Sequence, residues 1–286
     1  LYLAFFCLLN PGDEVLIPAP YFSNYGPMVA MCRGTVREIE VKEENDFILS
    51  VEDLRAAVTE KSRILLLNSP CNPTGGLIDR ESLQKIAEFA KEKDLFVFSD
   101  EVYRHLNFDS DEIFSIATLP GMKERTLIID SVSKSFAMTG FRVGFATGPV
   151  HLIELMTKCV ENVYSAVATP SQYAALVAFD KGMEAMMAMK KEYKKRRDFL
   201  VSRINEMDKI SCIMLKGAFY VFANIKKTGL SAEEFAERLL EKEHVAVIPG
   251  SNFSKNASGY VRISYGTSME KIEDGLNRME RFLKSL

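Results

Sequence analysis

Short apolar runs alternate with helical patterns along the first half of the chain. The runs are rich in Val, Ile, Leu and Phe, which is typical of strands buried on both faces of a parallel sheet. Between them, residues 51–59 and 80–93 repeat their apolar positions with helical spacing, and Asp79 is a predicted N-cap. This alternation predicts a largely parallel sheet with crossover helices. The predicted strands are residues 14–17, 35–41, 64–68, 95–99, 126–130 and 143–147.

The pattern changes in the second half of the chain. Residues 170–207 have helical periodicity with an interruption near Gly182, and shorter strands then alternate with helices. We therefore predict an α/β fold in which a mostly parallel sheet, with helices on both faces, forms a large domain over residues 1–185. A smaller α+β C-terminal domain is predicted over residues 186–286. Its predicted strands are residues 219–224, 245–248 and 260–264, and its predicted helices are residues 231–242 and 269–286.

Composition narrows the possible partners of this chain. With 286 residues, 47% of them hydrophobic, it is long enough to build a sizeable core. The net charge of −3 gives no electrostatic reason to expect nucleic acid or an anionic membrane surface as a partner. Five cysteines at wide, irregular spacing form no CxxC pair and no metal-ligand pattern. We therefore expect no metal site and interpret the cysteines as reduced thiols of a cytoplasmic protein.

The first nine residues, from Leu1 to Leu9, are apolar and run into Asn10-Pro11-Gly12, which is typical of the end of a helix. They contain no initiator Met and no N-cap, so we expect the chain to begin inside a helix, with an N-terminal portion removed or disordered. Nine residues are too few to span a bilayer, and no basic region precedes them as in a secretory signal.

Polar side chains of different chemistry follow three of the predicted strands. Asn72 lies in a turn-rich loop after the third strand, and Asp100 and Tyr103 follow the fourth. Lys134 follows the fifth strand. Taken singly, these residues fit ordinary roles, such as a solvated loop lysine, a helix-capping aspartate and a packed tyrosine. Because ligands bind outside the carboxyl ends of strands in open α/β sheets, we expect these four side chains to meet at one sheet edge.

This combination matches a pocket for pyridoxal phosphate. A partly desolvated Lys134 loses its proton more easily and can attack the cofactor carbonyl to form a Schiff base. A carboxylate such as Asp100 can keep the pyridine nitrogen protonated, so that the ring draws electrons from the substrate. The guanidinium of Arg142 and the hydroxyls of Ser131 and Ser133 can hold the phosphate dianion.

Six segments carry a resemblance to a known family, in the family's order: Asn10-Pro11-Gly12-Asp13-Glu14-Val15, Asn72-Pro73-Thr74-Gly75, Asp100-Glu101-Val102-Tyr103, Ser133-Lys134-Ser135-Phe136, Gly140-Phe141-Arg142-Val143-Gly144 and Val261-Arg262-Ile263-Ser264. The chain resembles the fold-type I pyridoxal phosphate enzymes, in their class I and II aminotransferase branch, which is related to aspartate aminotransferase. The resemblance implies pyridoxal 5'-phosphate as cofactor, a homodimer, and transfer of an amino group from an amino acid to a 2-oxo acid. It also implies that the family's N-terminal arm, phosphate loop and a tyrosine donated across the dimer interface precede Leu1.

The resemblance assigns catalytic roles to matched positions. Lys134 is implied as the Schiff-base lysine and as the base that then moves a proton between the substrate Cα and the cofactor. Asp100 is implied to pair with the ring nitrogen, and Tyr103 and Asn72 with the ring oxygen. Lys134, Asp100 and Tyr103 are therefore the expected catalytic residues.

The remaining implied roles concern the phosphate, the substrate and the face of the ring. Ser131, Ser133 and Arg142 are implied to bind the phosphate. Arg262 resembles the arginine that grips the substrate α-carboxylate through two parallel hydrogen bonds, with Asn72 alongside. One aromatic residue is expected to stack on the cofactor ring. The sequence register favours Phe22, and Tyr21 is the alternative.

Two other functions fit the same pattern. A carbon-sulfur β-lyase that depends on pyridoxal phosphate would use the same lysine and the same first proton removal. An aminotransferase-like sensor domain of a transcription regulator would share the fold, with its DNA-binding module before Leu1. The sequence leaves these alternatives open, together with the identity of the amino-acid substrate.

Overall fold

The computed structural model describes residues 1–110 and 113–286. Six strands form its larger sheet: β1 (Glu14–Ala19), β2 (Thr35–Glu40), β3 (Ser62–Asn68), β4 (Phe96–Asp100), β5 (Thr126–Ser131) and β6 (Gly144–Thr147). Their order across the sheet is β2-β1-β3-β4-β5-β6. The first five strands pair in parallel, and β6 pairs antiparallel with β5. The mostly parallel sheet predicted from the sequence is therefore confirmed.

The α-helices of the described residues are α1 (Tyr2–Leu8), α2 (Tyr25–Met31), α3 (Val51–Ala57), α4 (Arg80–Glu92), α5 (Val132–Ser135), α6 (Val150–Val163), α7 (Thr169–Lys181), α8 (Met183–Asn205), α9 (Ala232–Glu243) and α10 (Met269–Lys284). Side-chain caps fix several of the starts. Asp79 Oδ1 accepts a hydrogen bond of 2.8 Å from the Ser82 amide, which confirms the predicted cap of α4. Ser50 and Asp53 form a reciprocal capping box at α3.

Helices cover both faces of the larger sheet. In β3, Leu65 and Leu67 point to one face and pack in a core with side chains of α3 and α4. Ile64 and Leu66 point to the other face and pack with side chains of α1, α2 and α6. Since successive residues of a strand face opposite sides, a continuous apolar run is required to fill both cores.

The smaller sheet is antiparallel and contains β7 (Tyr220–Asn224), β8 (Ile248–Pro249) and β9 (Tyr260–Ser264), in the order β7-β9-β8. Side chains of α8, α9 and α10 pack with this sheet around buried rings such as Phe235 and Phe282. The strand predicted over residues 245–248 is wrong in extent, because only Ile248 and Pro249 pair with β9.

Gly182 separates α7 from α8, which confirms the predicted interruption. A Cβ at this position would collide with the Ala178 carbonyl oxygen and press on the Phe136 ring. The predicted division between residues 185 and 186 lies in the first turn of α8. It stays a prediction.

Three helices were not predicted from the sequence: α2, the four-residue α5 and α6. In α2, Gly26 and Pro27 suggest a turn, yet Pro27 is the third helical residue, where the missing amide hydrogen costs no intrahelical bond. The α6 helix follows Pro149 directly and contains β-branched residues, which weaken a helical signal.

Within residues 1–110 and 113–286, no helix has both the length and the apolar character needed to cross a membrane.

Candidate active site

Lys134 lies in the short helix α5, directly after β5. Ser131 caps this helix, because its Oγ accepts a hydrogen bond of 3.2 Å from the Ser133 amide. The Lys134 Nζ atom lies 5.9 Å from the centre of the Tyr103 ring and 5.5 Å from that of Phe219. In the described part of the chain, no carboxylate lies within 4 Å of this amine. The strand end thus presents an amine without an ion-pair partner.

The surroundings of Lys134 favour its neutral form. Burial is the main cause that lowers the pKa of the amine, and the positive charges of Arg142 and Arg262 lower it further. A lysine with a lowered pKa carries a larger fraction of free amine at neutral pH, which is the form that attacks a carbonyl.

Asp100 is the last residue of β4 and its carboxylate is buried. Tyr25 Oη donates a hydrogen bond of 2.6 Å to Asp100 Oδ2, and the Val102 amide donates one of 3.2 Å to Oδ1. Burial raises the pKa of this carboxyl, and the two hydrogen bonds oppose the rise. Among the described residues, no cation lies within 4 Å of the carboxylate. The site therefore contains a buried acid that forms no salt bridge with the described residues.

Tyr103 follows Asp100 by three residues and is buried in an aromatic group. Its Oη atom lies 3.0 Å from Tyr220 Oη, and its ring packs edge-on against Phe219 at 5.5 Å between centres. Burial and the neighbouring Tyr220 raise the pKa of Tyr103 well above its usual range. Tyr103 is therefore a neutral phenol that can donate one hydrogen bond.

Asn72 and Arg262 meet although 190 residues separate them in the sequence. Arg262 Nη1 donates a hydrogen bond of 2.9 Å to Asn72 Oδ1. The guanidinium of Arg262 lies over the rings of Tyr220 and Phe253, at 4.4 Å and 4.8 Å from their centres. Its Nε atom is buried and has no hydrogen-bond acceptor among the described residues. Arg262 is thus held in place while its Nε–H group has no hydrogen-bond acceptor among the described residues.

The two aromatic candidates for stacking differ in their contacts. Tyr21 Oη donates a hydrogen bond of 2.9 Å to Glu38 Oε1 on β2. Phe22 has no such anchor and packs edge-on against Tyr25 at 5.6 Å between ring centres. Tyr21 also packs on the Tyr25 ring, stacked at 6.3 Å between centres. Both aromatics thus border the tyrosine that bonds to Asp100, and the choice of Phe22 stays a prediction.

The predicted phosphate ligands are less closely gathered. Arg142 is exposed, has a left-handed backbone with φ of 56°, and donates to the Thr139 carbonyl oxygen at 2.9 Å. Among these described residues, no hydrogen bond joins Arg142 to the hydroxyl of Ser131 or Ser133. Its charge is nevertheless close enough to lower the pKa of Lys134.

Two tyrosines of this site were given no role in catalysis or cofactor binding from the sequence. Tyr25 is the buried donor to Asp100, and Tyr220 is the partner of Tyr103. Tyr25 is the last residue of the aromatic segment that contains Tyr21 and Phe22, which is the signal that could have pointed to it.

Comparison with known proteins identifies the family. The aminotransferase class I and II family matches residues 1–279. The aspartate aminotransferase of Pyrococcus abyssi is 46% identical over 278 residues, which cover 96% of this chain and 71% of the relative. Aromatic-amino-acid aminotransferase 2 of Thermococcus litoralis is 44% identical, with the same coverage of 96% and 71%.

Solved structures agree with this match. The aromatic aminotransferase of Pyrococcus horikoshii superimposes with a TM-score of 0.97 at 44% identity, over 99% of this chain and 76% of that one. The Thermus thermophilus aspartate aminotransferase crystallised with maleate gives a TM-score of 0.92 at 36% identity, over 98% and 72%. The predicted fold, with a large α/β part and a smaller α+β part, is confirmed. The chain therefore belongs to the aminotransferase class I and II family.

Proposed function

We propose that this aminotransferase holds pyridoxal 5'-phosphate at Lys134 and moves an amino group from an amino acid to a 2-oxo acid. One observation carries the proposal: an amine and a buried carboxylate, neither of them in a salt bridge with the described residues, follow or end the neighbouring strands β5 and β4. The carbonyl and the protonated ring nitrogen of pyridoxal phosphate complement these two groups. The residues present therefore fit this cofactor.

Asp100, Tyr103 and Asn72 would fix the ring. Asp100 would pair with the ring nitrogen and keep it protonated, while the Tyr25 hydroxyl holds its carboxylate in position. Tyr103 would donate to the ring oxygen, and Asn72 would approach the same oxygen. Pyridoxal phosphate, when bound, supplies an electron sink that stabilises the negative charge left when the substrate Cα loses its proton.

Lys134 would act twice. As a free amine it would hold the cofactor, and after the substrate displaces it, it would take the Cα proton and return it at the cofactor carbon. Its lowered pKa supports both tasks, because the neutral amine is the nucleophile and the base. The rings of Tyr103 and Phe219 beside Nζ would exclude water from the transfer.

Arg262 would bind the substrate carboxylate and Asn72 would stand beside it. The hydrogen bond to Asn72 and the contacts with the rings of Tyr220 and Phe253 fix the orientation of the guanidinium. A fixed guanidinium plane favours two parallel hydrogen bonds to a carboxylate. Ser131, Ser133 and Arg142 would bind the phosphate, provided that Arg142 leaves the Thr139 carbonyl. The residue proposed to stack on the ring is Phe22.

The function is tested by the two half-reactions of transamination. The protein is loaded with pyridoxal phosphate, and the absorbance of the bound cofactor is followed as single amino acids are added. We expect one or more amino acids to bleach the band and a 2-oxo acid to restore it. The names of the relatives support aspartate and the aromatic amino acids as the first candidates.

The same assay separates the alternatives. Release of pyruvate and ammonia without a 2-oxo acid would indicate the carbon-sulfur β-lyase instead. A band that no amino acid bleaches would contradict the aminotransferase proposal and favour the sensor domain of a regulator.

We further propose that the enzyme is a homodimer. Tyr173, Leu176 and Val177 of α7 lie at helical spacing and are each more than half exposed. On the same helix, Phe179 packs against Phe145 of β6 at 5.6 Å, so this apolar face continues to the edge strand beside the site. Continuity with the site supports a second copy of the chain as the occupant of this face.

Sedimentation at micromolar concentration tests the dimer. We expect twice the chain mass, and a shift towards the monomer for Leu176→Glu, because a charge would be buried in the interface. Glu161→Gln, an exposed change on α6, is the control. A single-chain mass for the unmodified protein would contradict the proposal.

We also propose a cytoplasmic location, which the five free thiols support. We further propose a large domain over residues 1–185 and a small one over residues 186–286.

A further inference from the structure

Tyr220 stands between two groups of the proposed site. Its hydroxyl lies 3.0 Å from that of Tyr103, and its ring lies 4.4 Å beneath the guanidinium carbon of Arg262. Both tyrosines are buried. Tyr220 is the first residue of β7 and pairs with Ser264, which places it diagonally across from Arg262 on the neighbouring strand β9. The smaller sheet thus brings one phenol to both the carboxylate-binding arginine and the catalytic tyrosine.

The hydrogen bonds of the two phenols can be counted. Each hydroxyl has one hydrogen to donate and lone pairs to accept with. If Tyr103 donates its hydrogen to an anionic ring oxygen, it cannot donate to Tyr220 at the same time. The Tyr220 hydroxyl then has one acceptor among the described residues, which is Tyr103 Oη. The direction of the bond between the two tyrosines follows from this count.

We propose that Tyr220 is a positioning residue that donates its hydroxyl hydrogen to Tyr103 Oη and so holds the Tyr103 phenol in place as a donor to the ring oxygen of the bound cofactor. This inference rests on the function proposed above. Donation onto the Tyr103 oxygen polarises that phenol and makes it a stronger donor, as in other chains of hydrogen bonds. Tyr220 acts through Tyr103 and needs no contact with the cofactor.

The expected sign follows from the charge on the ring oxygen. A stronger donor would stabilise the negative charge of the ring oxygen. This oxygen would then hold the proton on the cofactor-bound nitrogen of Lys134 less strongly, so the pH at which this nitrogen loses its proton falls. Removing the Tyr220 hydroxyl should therefore raise that pH. The charged groups that face the tyrosines are Asp100, Lys134 and Arg262, and Tyr220→Phe leaves all three in place.

The experiment is a pH titration of the bound-cofactor absorbance in a double-mutant cycle. We expect Tyr103→Phe to raise the midpoint by roughly 1 to 2 pH units, which is the loss of one bond to a charged acceptor. Tyr220→Phe should raise it by roughly 0.2 to 0.6 pH units. The double variant should match Tyr103→Phe alone, because the second hydroxyl acts through the first. The KM for the amino acid should stay within about twofold for Tyr220→Phe, since the phenyl ring beneath Arg262 remains.

Two further variants serve as controls. Tyr265→Phe removes a buried hydroxyl that donates to the Ala218 carbonyl oxygen at 3.1 Å, in the same core, and should leave the midpoint unchanged. Tyr220→3-fluorotyrosine keeps the ring and makes the hydroxyl a stronger donor, so it should move the midpoint down. This opposite shift remains measurable if Tyr220→Phe folds poorly.

Each outcome decides the matter. If Tyr103→Phe raises the midpoint while neither change at Tyr220 moves it, the role of Tyr220 is overturned and the proposed function stands. If the two single shifts add in the double variant, Tyr220 acts independently of Tyr103 and the inference is wrong. If Tyr265→Phe shifted the midpoint as much as Tyr220→Phe, the shift would come from general loosening of the core, and the specific role of Tyr220 would be refuted. If Tyr103→Phe shifts nothing, the assignment of Tyr103 to the ring oxygen fails, and the role of Tyr220 fails with it.

Discussion

Replacing Lys134 with alanine is expected to lower kcat for amino-group transfer by a factor on the order of 10⁴ to 10⁶. The amine is proposed both to hold the cofactor and to move the Cα proton, so its removal abolishes both functions at once. Steady-state transamination assays measure the loss. Borohydride reduction followed by peptide mass analysis should place the cofactor on the peptide that contains Lys134.

The matched control is Lys158→Ala, which removes an exposed lysine from α6 and should leave kcat unchanged. Retention of more than about a hundredth of the activity in Lys134→Ala would contradict the role of this residue, because a lost general base alone costs at least that much. The lowered pKa of Lys134 gives a second check. The rate of cofactor capture by the unloaded protein should rise with pH and level off below 10.5, the usual pKa of a lysine, since the neutral amine reacts.

Replacing Asp100 with asparagine is expected to lower kcat by a factor on the order of 10² to 10⁴. An amide cannot keep the ring nitrogen protonated, so the electron sink weakens although the shape of the site is kept. Burial raises the pKa of Asp100, which means that its charge destabilises the unloaded fold at neutral pH. The variant should therefore keep or raise its melting temperature, and the loss of activity cannot be attributed to unfolding.

Glu101→Gln is the control for Asp100. Glu101 is the next residue and is also buried, but its carboxylate accepts hydrogen bonds from Ser99 and Ser115 and does not bond to Tyr25. We expect this change to alter thermal stability and to leave kcat within about threefold. If Asp100→Asn and Glu101→Gln lowered kcat equally, the effect would come from a lost buried charge in general, and the pairing of Asp100 with the ring would be refuted.

The strands and most helices could be predicted because they follow local patterns. Apolar runs gave β3, β4 and β5, and Asp79 and Gly182 marked a helix start and a helix break. The α2 and α6 helices were missed where prolines and β-branched residues weakened the local signal. In both cases packing against the sheet stabilises a helix that intrinsic propensity does not favour.

The placement of Asn72, Asp100 and Lys134 after neighbouring strands was predictable for a simple reason. Strands β3, β4 and β5 are neighbours and run in parallel, so the residues that follow them emerge at one edge of the sheet. Arg262 could be placed only through the resemblance to the family, since no local pattern relates β9 to that edge.

The sequence by itself determined the family, the mostly parallel sheet and the polar residues that follow its strands, because these depend on patterns among neighbouring residues. Tertiary structure alone decided which groups touch. The contact of Tyr25 with Asp100 crosses 75 residues, and that of Tyr103 with Tyr220 crosses 117. Such contacts depend on how separate elements pack, and a displacement shorter than the length of a hydrogen bond is enough to make or break them. No local pattern encodes them. They position the side chains of Asp100 and Tyr103 and modify the pKa of each, beside the larger effect of burial.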